Sequence, residues 1–152
     1  MAAVLGDPEV GRYVGGDDLN DETIAGQMAM FADEWAKRGY GQSAAMLRST
    51  NEFVGRIGLH YWPQWDDVEL GYILKRSAQG AGLAAEGATA WIAWAESAPG
   101  IDSIIANIDP RNVASVGLAT KLGFVFERRD MTPTGKPTVI YRLSTRSGES
   151  LI

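Results

Sequence analysis

The spacing of apolar residues changes along the chain, and each change predicts an element. Ile24, Met28, Phe31 and Trp35 recur at helical spacing. Asn20 and Asp21 stand ahead of them as cap residues and Gly39 behind, which predicts a helix ending near Arg38. Upstream, residues 7–14 read as a short helical turn broken at Gly15-Gly16. A β-rich stretch follows. Ala44–Ser49 and Phe53–Tyr61 flank the polar turn Ser49-Thr50-Asn51-Glu52 and predict a hairpin. Val68, Leu70, Tyr72 and Leu74 alternate in a third strand, reached through the loop Trp62–Asp67. Residues 81–98 return to a helical period, with Ala84, Ala88, Trp91, Ile92 and Ala95 on one face and Pro99-Gly100 as the stop. Ser103–Ile108 predicts a short buried strand and Arg111–Leu122 a helix closed by Gly123. Phe124–Arg129 and Thr138–Leu143 form a last strand pair around the turn Thr132–Lys136.

The order is a helix, an antiparallel meander, then β–α–β–α–β–β. It predicts an α+β (mixed α/β) fold with one parallel crossover through the helix at 81–98. No repeat or linker divides the 152 residues, so a single domain is expected, with its core in 7–144 and a frayed polar tail at 145–152. Composition adds mainly exclusions. The chain has no cysteine, which removes disulfides, thiolate metal sites and a Cys nucleophile. The lone His60 among scattered carboxylates makes no metal-ligand pattern, so no metal is expected. A net charge of −5 argues against nucleic acid as a partner and favours a cationic one, such as an amine. No apolar run approaches the roughly 20 residues that span a bilayer, and no membrane partner is expected. Met1–Asp7 lacks the basic start of a signal peptide, so the expected location is cytoplasmic.

The densest chemical signal is Gln79-Gly80-Ala81-Gly82-Leu83-Ala84, between a strand and a helix. Its glycines let the backbone approach a ligand closely, and the helix start offers free N–H groups and a positive dipole end, a setting suited to a pyrophosphate. Lys75 and Arg76 lie just upstream and could meet a further phosphate. A nucleoside-triphosphate loop would need Gly-Lys-Ser/Thr, which is absent. Gly80-x-Gly82-x-x-Ala85 formally fits a dinucleotide fingerprint, but Asp102 starts the second strand where that fingerprint needs an acid at its end. A third reading is the Gln-x-x-Gly-x-Ala signature of acyl-CoA binding, which Gln79, Gly82 and Ala84 satisfy.

Four blocks resemble the GNAT superfamily of N-acetyltransferases, in the expected order. They are Asp7-Pro8-Glu9-Val10 with Gly15-Gly16, Phe53-Val54-Gly55-x-Ile57-Gly58-Leu59, Val68–Leu74 leading into Gln79–Glu86, and Asn112-x-x-Ser115 ahead of Lys121-Leu122-Gly123-Phe124. Together they span roughly residues 7–144 and are most similar to the RimJ/RimL-type branch, which acetylates ribosomal-protein N-termini. The resemblance implies a mostly antiparallel central sheet flanked by helices and acetyl-CoA as cosubstrate. It implies that the strand at Ile73 and Leu74 splays from its neighbour and pairs with the pantetheine arm. The amides of Gly80, Ala81, Gly82, Leu83 and Ala84 would hold the pyrophosphate, Asn112 would bond the pantetheine, and Ser115 would lie near the thioester sulfur. Two positions depart from the family pattern. Ala119 stands where many members carry a Tyr acid, leaving Ser115 as its substitute. Few residues precede Asp7, so the first strand is expected to be missing or shortened, which would expose a sheet edge and favour a homodimer.

Acetyl transfer needs a neutral amine and a protonated leaving sulfur. Without a Cys nucleophile, direct attack in a ternary complex is expected. Glu69, on the strand that feeds the loop, is the leading candidate base; His60 or a water-mediated route stays open. Asp66 and Asp67 read as a solvated loop or as attractors of a cationic acceptor, and Tyr61, Trp62 and Trp65 as rim or pocket wall. Glu86 reads as a carboxylate that complements the helix dipole.

Overall fold

The computed structural model describes residues 20–146. The turn expected at 7–14, the Asp7–Val10 block, the shortened first strand and the tail beyond residue 146 lie outside the described residues. The elements are α1 (Asp21–Arg38), β1 (Gln42–Met46), β2 (Phe53–Trp62), β3 (Asp67–Leu74), a 3-10 turn (Arg76–Ala78), α2 (Leu83–Ser97), β4 (Ser103–Ile108), α3 (Val113–Lys121), β5 (Val125–Met131) and β6 (Pro137–Ser144). One six-stranded sheet runs β1-β2-β3-β4-β6-β5. Every pairing is antiparallel except β3 with β4, the crossover expected through α2.

Local chemistry sets the element ends. The Asn20 side chain accepts from the Thr23 N–H, and the Thr23 hydroxyl accepts from the Asn20 N–H, each at 2.9 Å. This reciprocal cap satisfies two orphan donors of α1, and Gly39 closes the helix in the left-handed region. β1 ends three residues earlier than the expected Ser49. Leu47 already accepts from Asn51 and donates to Glu52, and Asn51 takes a positive φ of 59°, so the reversal starts sooner. Gly82 has φ 77°, which excludes it from α2 and moves the helix start from 81 to Leu83. Asn112 caps α3, so that helix begins at Val113 and not at Arg111. The start of the expected frayed tail is tied down: buried Thr145 donates through its hydroxyl to Ile101 and through its N–H to Asp102.

Strand alternation divides the side chains between two faces. Ile57, Leu59, Leu70, Ile104, Ala106 and Ile108 share a core with Ala88 and Ala95 of α2 and Ala119 of α3. Burying side chains such as Leu59 and Ile104 stabilises the fold by roughly 1.5–3 kcal/mol each. Arg56, His60, Glu69 and Asn107 fall on the opposite face. There α1 lies over β2, with Phe31 against the Arg56 guanidinium and Glu34 bonded to His60.

Two features position the site. β3 and β4 share one register pair, Glu69 with Ile105, and part beyond it. The closed end is pinned by Arg142 of β6. Its guanidinium donates to Asp67 of β3 at 2.8 and 3.0 Å, to Ser103 of β4 at 2.8 Å and to Glu127 of β5 at 2.7 and 3.0 Å. These carboxylates raise the Arg142 pKa above its ordinary value. Asp67 is therefore a structural anchor, not a free attractor of cations.

Gly58 lets the chain entering β1 lie close against β2. A Cβ there would meet the Gly41 carbonyl oxygen at 2.1 Å, and backbone cannot rotate away. Gly58→Ala is expected to cost about 1–3 kcal/mol, read as a lower midpoint in urea unfolding.

Candidate active site

The parting of β3 and β4 opens a cavity of about 600 Å³ that passes through the sheet and is lined from both faces. That size suits an extended ligand plus a small second substrate. Glu69 lies on the α1 face and Ser115, at the start of α3, on the other.

Glu69 lines the cavity while its carboxylate is enclosed by protein. Trp62 Nε1 donates to Oε1 at 3.1 Å, and the backbone and side chain of Asn107 also bond the carboxylate. These bonds and the nearby Arg56 charge favour the ionised form, but burial outweighs them and pushes the pKa from 4.5 up to about 7. At neutral pH the group is divided between its two forms, as a general base at that pH should be. Gly71, two residues on, leaves the space beside this carboxylate open: a Cβ there would come within 3.5 Å of Oε1.

His60 sits directly across the strand pair from Glu69. Its Nδ1 lies 3.0 Å from the buried Glu34 carboxylate, which also accepts from the Tyr61 N–H. Edge contacts with Phe31 and Trp62 fix the ring. His60 is thus packed and oriented, with the cavity on one side. Asp66 accepts from the Tyr61 hydroxyl at 2.7 Å and stays in the exposed loop.

On the other face the Ser115 hydroxyl is 3.1 Å from the Tyr72 hydroxyl of β3. Asn112 caps α3 by accepting from the Ser115 N–H at 3.2 Å, which leaves its amide nitrogen unspent by the cap, and the residue lines the cavity. Ala119 is buried in the core one turn beyond Ser115.

Gly80 and Gly82 hold φ of 82° and 77°, a region that side chains disfavour, and they bend the loop into the start of α2. No side chain caps that helix, so the amides of Leu83 and Ala84 are offered outward with the loop backbone. Glu86 stands in the first turn, as expected. The Gln79 side chain is spent internally: it donates to the Leu74 carbonyl at 3.0 Å and holds the loop against the end of β3. That carbonyl is therefore already engaged. Ile73, one residue earlier, lines the cavity.

Tyr72, Asn107, Arg56 and Gln27 also line the cavity, and none was singled out from the sequence. Asn107 carried a signal, since it interrupts the otherwise apolar Ile104-Ile105-Ala106-Asn107-Ile108. So did Arg56, a charge inside the apolar strand Phe53–Leu59. Among the described residues, no group of three or more His, Cys, Asp or Glu side chains could hold a metal ion, and no helix is long and apolar enough to cross a membrane.

Residues 1–125 match the sequence family described as the acetyltransferase (GNAT) domain. The chain belongs to the GNAT acetyltransferase family. It is 29% identical over 144 residues to the uncharacterized protein YkkB of Bacillus subtilis (strain 168), covering 91% of this chain and 80% of that one. An acetyltransferase structure from Agrobacterium tumefaciens superposes with a TM-score of 0.80 at 25% identity, covering 93% of this chain and 81% of the other. A phosphinothricin acetyltransferase from Sinorhizobium meliloti, solved in complex with AcCoA, shares the fold at TM-score 0.71 and 18% identity, covering 99% and 88%.

The raised pKa of Glu69 has a consequence for stability. The folded state binds this proton more tightly than the unfolded chain, so the contribution is present below pH 4.5 and is lost as pH rises to about 7. Glu69→Gln removes the loss. The variant is expected to gain stability relative to the wild type between pH 5 and pH 8, by up to about 3 kcal/mol, in paired melting curves across that range.

Proposed function

We propose that this GNAT family member transfers the acetyl group of acetyl-CoA to a primary amine by direct attack. The observation that carries the reading is the cavity through the sheet, which sets a base near pH 7 on one face against a hydroxyl pair on the other. The parted strand β3, the left-handed Gly80 and Gly82, and the uncapped start of α2 fit a pantetheine arm ending in a pyrophosphate. The amides of Gly80 to Ala84 would hold the pyrophosphate, Ile73 and Asn112 the arm, and Gln79 would keep the loop in place. Acetyl-CoA supplies the acyl group on a thioester already activated toward an amine.

The chain's own residues act at both ends of the transfer. Glu69 accepts one from the attacking amine, and Trp62 and Asn107 hold its carboxylate for that transfer. As the amide bond forms and the thioester C–S bond breaks, Ser115 donates a hydrogen bond to the departing thiolate, which takes its proton from solvent. A serine alone is a weak acid, but the Tyr72 hydroxyl at 3.1 Å can donate to it and stabilise the developing charge. This pair answers the absence of a tyrosine at Ala119, and a serine in this role is what the resemblance to the RimJ/RimL-type branch implies. A low-pKa amine such as an α-amine suits the site, because about a tenth of it is neutral at pH 7.

Two other readings are separable. A dinucleotide site would need an acid at the end of β4; Asp102 precedes β4 and is paired with Arg146. A binding module without catalysis would bind acetyl-CoA and release no thiol with any amine.

Saturating acetyl-CoA is expected to raise the melting temperature, and free thiol should appear once an amine acceptor is added. No thermal shift would end the acetyl-CoA reading. Ser115→Ala is expected to lower kcat by about 100-fold, with acetyl-CoA affinity changed by less than about twofold. Tyr72→Phe should lower kcat by about tenfold in the wild type and by nothing further in the Ser115→Ala background, a coupling that a purely structural tyrosine would not show.

A further inference from the structure

On the α1 face the cavity ends in charges that the chain leaves incompletely paired. Arg56 Nη1 donates to the Gln42 side chain at 2.7 Å, and the guanidinium lies 4.8 Å from the centre of the Phe31 ring. Its Nε–H is buried and has no partner. Gln27 of α1 lines the same end, and its Oε1 is also buried without a partner. Burial pushes the Arg56 pKa down to about 10, against the opposing pull of Glu69, so the charge is retained at neutral pH. Arg56, Gln27 and Glu69 therefore line one end of the cavity, and the first two each keep a buried polar atom that the chain leaves unpaired.

From this geometry we infer that the acceptor is an amino-acid-like zwitterion whose carboxylate meets Arg56 while its amine faces Glu69. The inference rests on the acetyltransferase reading and specifies its acceptor. A guanidinium offers a planar fork of donors matched to a carboxylate, and a small shift of the Arg56 side chain on binding would bring the orphan Nε–H to an anion there. Gln27 Oε1 can accept from an N–H or hydroxyl of the same molecule. A polyamine or aminoglycoside would bring further positive charge against Arg56 and leave its donor unpaired, so those amines fit poorly. Phe31, Arg56, Glu69 and Gly71 line the same cavity, and Gly71 adds no side chain beside the Glu69 carboxylate. A site with a buried donor of this kind discriminates strongly against a ligand that cannot pair it.

The test compares free amino acids, their C-terminal amides and the matching decarboxylated amines, with acetyl-CoA and thiol release as readout. At least one acid is expected to exceed its amide in kcat/KM by about tenfold or more. Arg56→Gln should slow both, because the Arg56 charge favours ionised Glu69, but should slow the acid about tenfold more than the amide and so remove the gap, while Arg56→Lys should restore part of it. Equal rates for acids and amides in the wild type, or an equal loss for both in Arg56→Gln, would overturn the inference. So would turnover confined to polyamines, aminoglycosides or peptide N-termini. A product arm needs no turnover: N-acetyl amino acids should quench tryptophan fluorescence in the presence of CoA, through Trp62, more strongly than N-acetyl amino amides. Equal quenching by the two overturns the inference. A thermal shift with acetyl-CoA but no preference for the carboxylate leaves the acetyltransferase reading standing and sinks only this one; no shift sinks the reading beneath it.

Discussion

The site depends on one interruption in the sheet. β3 and β4 meet at Glu69 and Ile105 and then separate. A continuous ladder would have sealed the two faces from each other, with α1 on one side and α2 and α3 on the other. The separation exposes main-chain groups that a sheet normally pairs, and such groups are costly unless something replaces the lost neighbour. Gln79 takes one of them, the Leu74 carbonyl. The rest of the opening is shaped for an extended chain. Arg142 keeps the separation local: by bonding three strands near the start of β3, it holds the closed end while the other end stays open.

The same opening determines the electrostatics. Glu69 sits where the strands part, so its carboxylate reaches the cavity yet loses most of its water. Desolvation and hydrogen bonding oppose each other there, and desolvation wins, which leaves a base active near neutrality instead of an ordinary surface acid. Arg56 is the counterweight. Buried on the neighbouring strand, it moderates the rise in the Glu69 pKa and keeps a donor unspent. On the opposite face the chemistry is neutral, with backbone amides at the start of α2 and two hydroxyls at its far wall.

Periodicity made most of the fold legible. The helix ending at Arg38, the strand Ser103–Ile108 and the parallel crossover all follow from spacing and punctuation. Errors fell where a single residue's backbone conformation decides an end, as at Asn51, Gly82 and Asn112, because a propensity pattern cannot register one dihedral angle. The site was legible in proportion to how local it is. The loop Gln79–Ala84 is contiguous, and Ser115 follows Asn112 by a fixed step. Glu69 was found as a residue type on the right strand, but its raised pKa arises from burial that outweighs the bonds from Trp62 and Asn107, a balance that only folding creates. Tyr72 looked like a core aromatic in an alternating strand, and its hydroxyl acquires meaning only from a serine on a distant helix. Asp67 was misjudged for the same reason, since its partner Arg142 is distant in sequence and lies two strands away in the sheet.

This contrast separates donor from acceptor recognition in physical terms. A site made of backbone amides and glycines is specified by local conformation, so a short motif can announce it, and many sequences can carry it. The acceptor end is made of side chains from β2, β3 and α1, which share no motif and meet only through register: Arg56 opposite Ile73, His60 opposite Glu69. A change at one of those positions alters the charge and shape of that end while leaving the loop, the parted strands and the hydroxyl pair intact. The fold can therefore keep its donor chemistry constant while the acceptor varies, and the acceptor must be argued from which buried polar atoms the chain itself leaves without a partner.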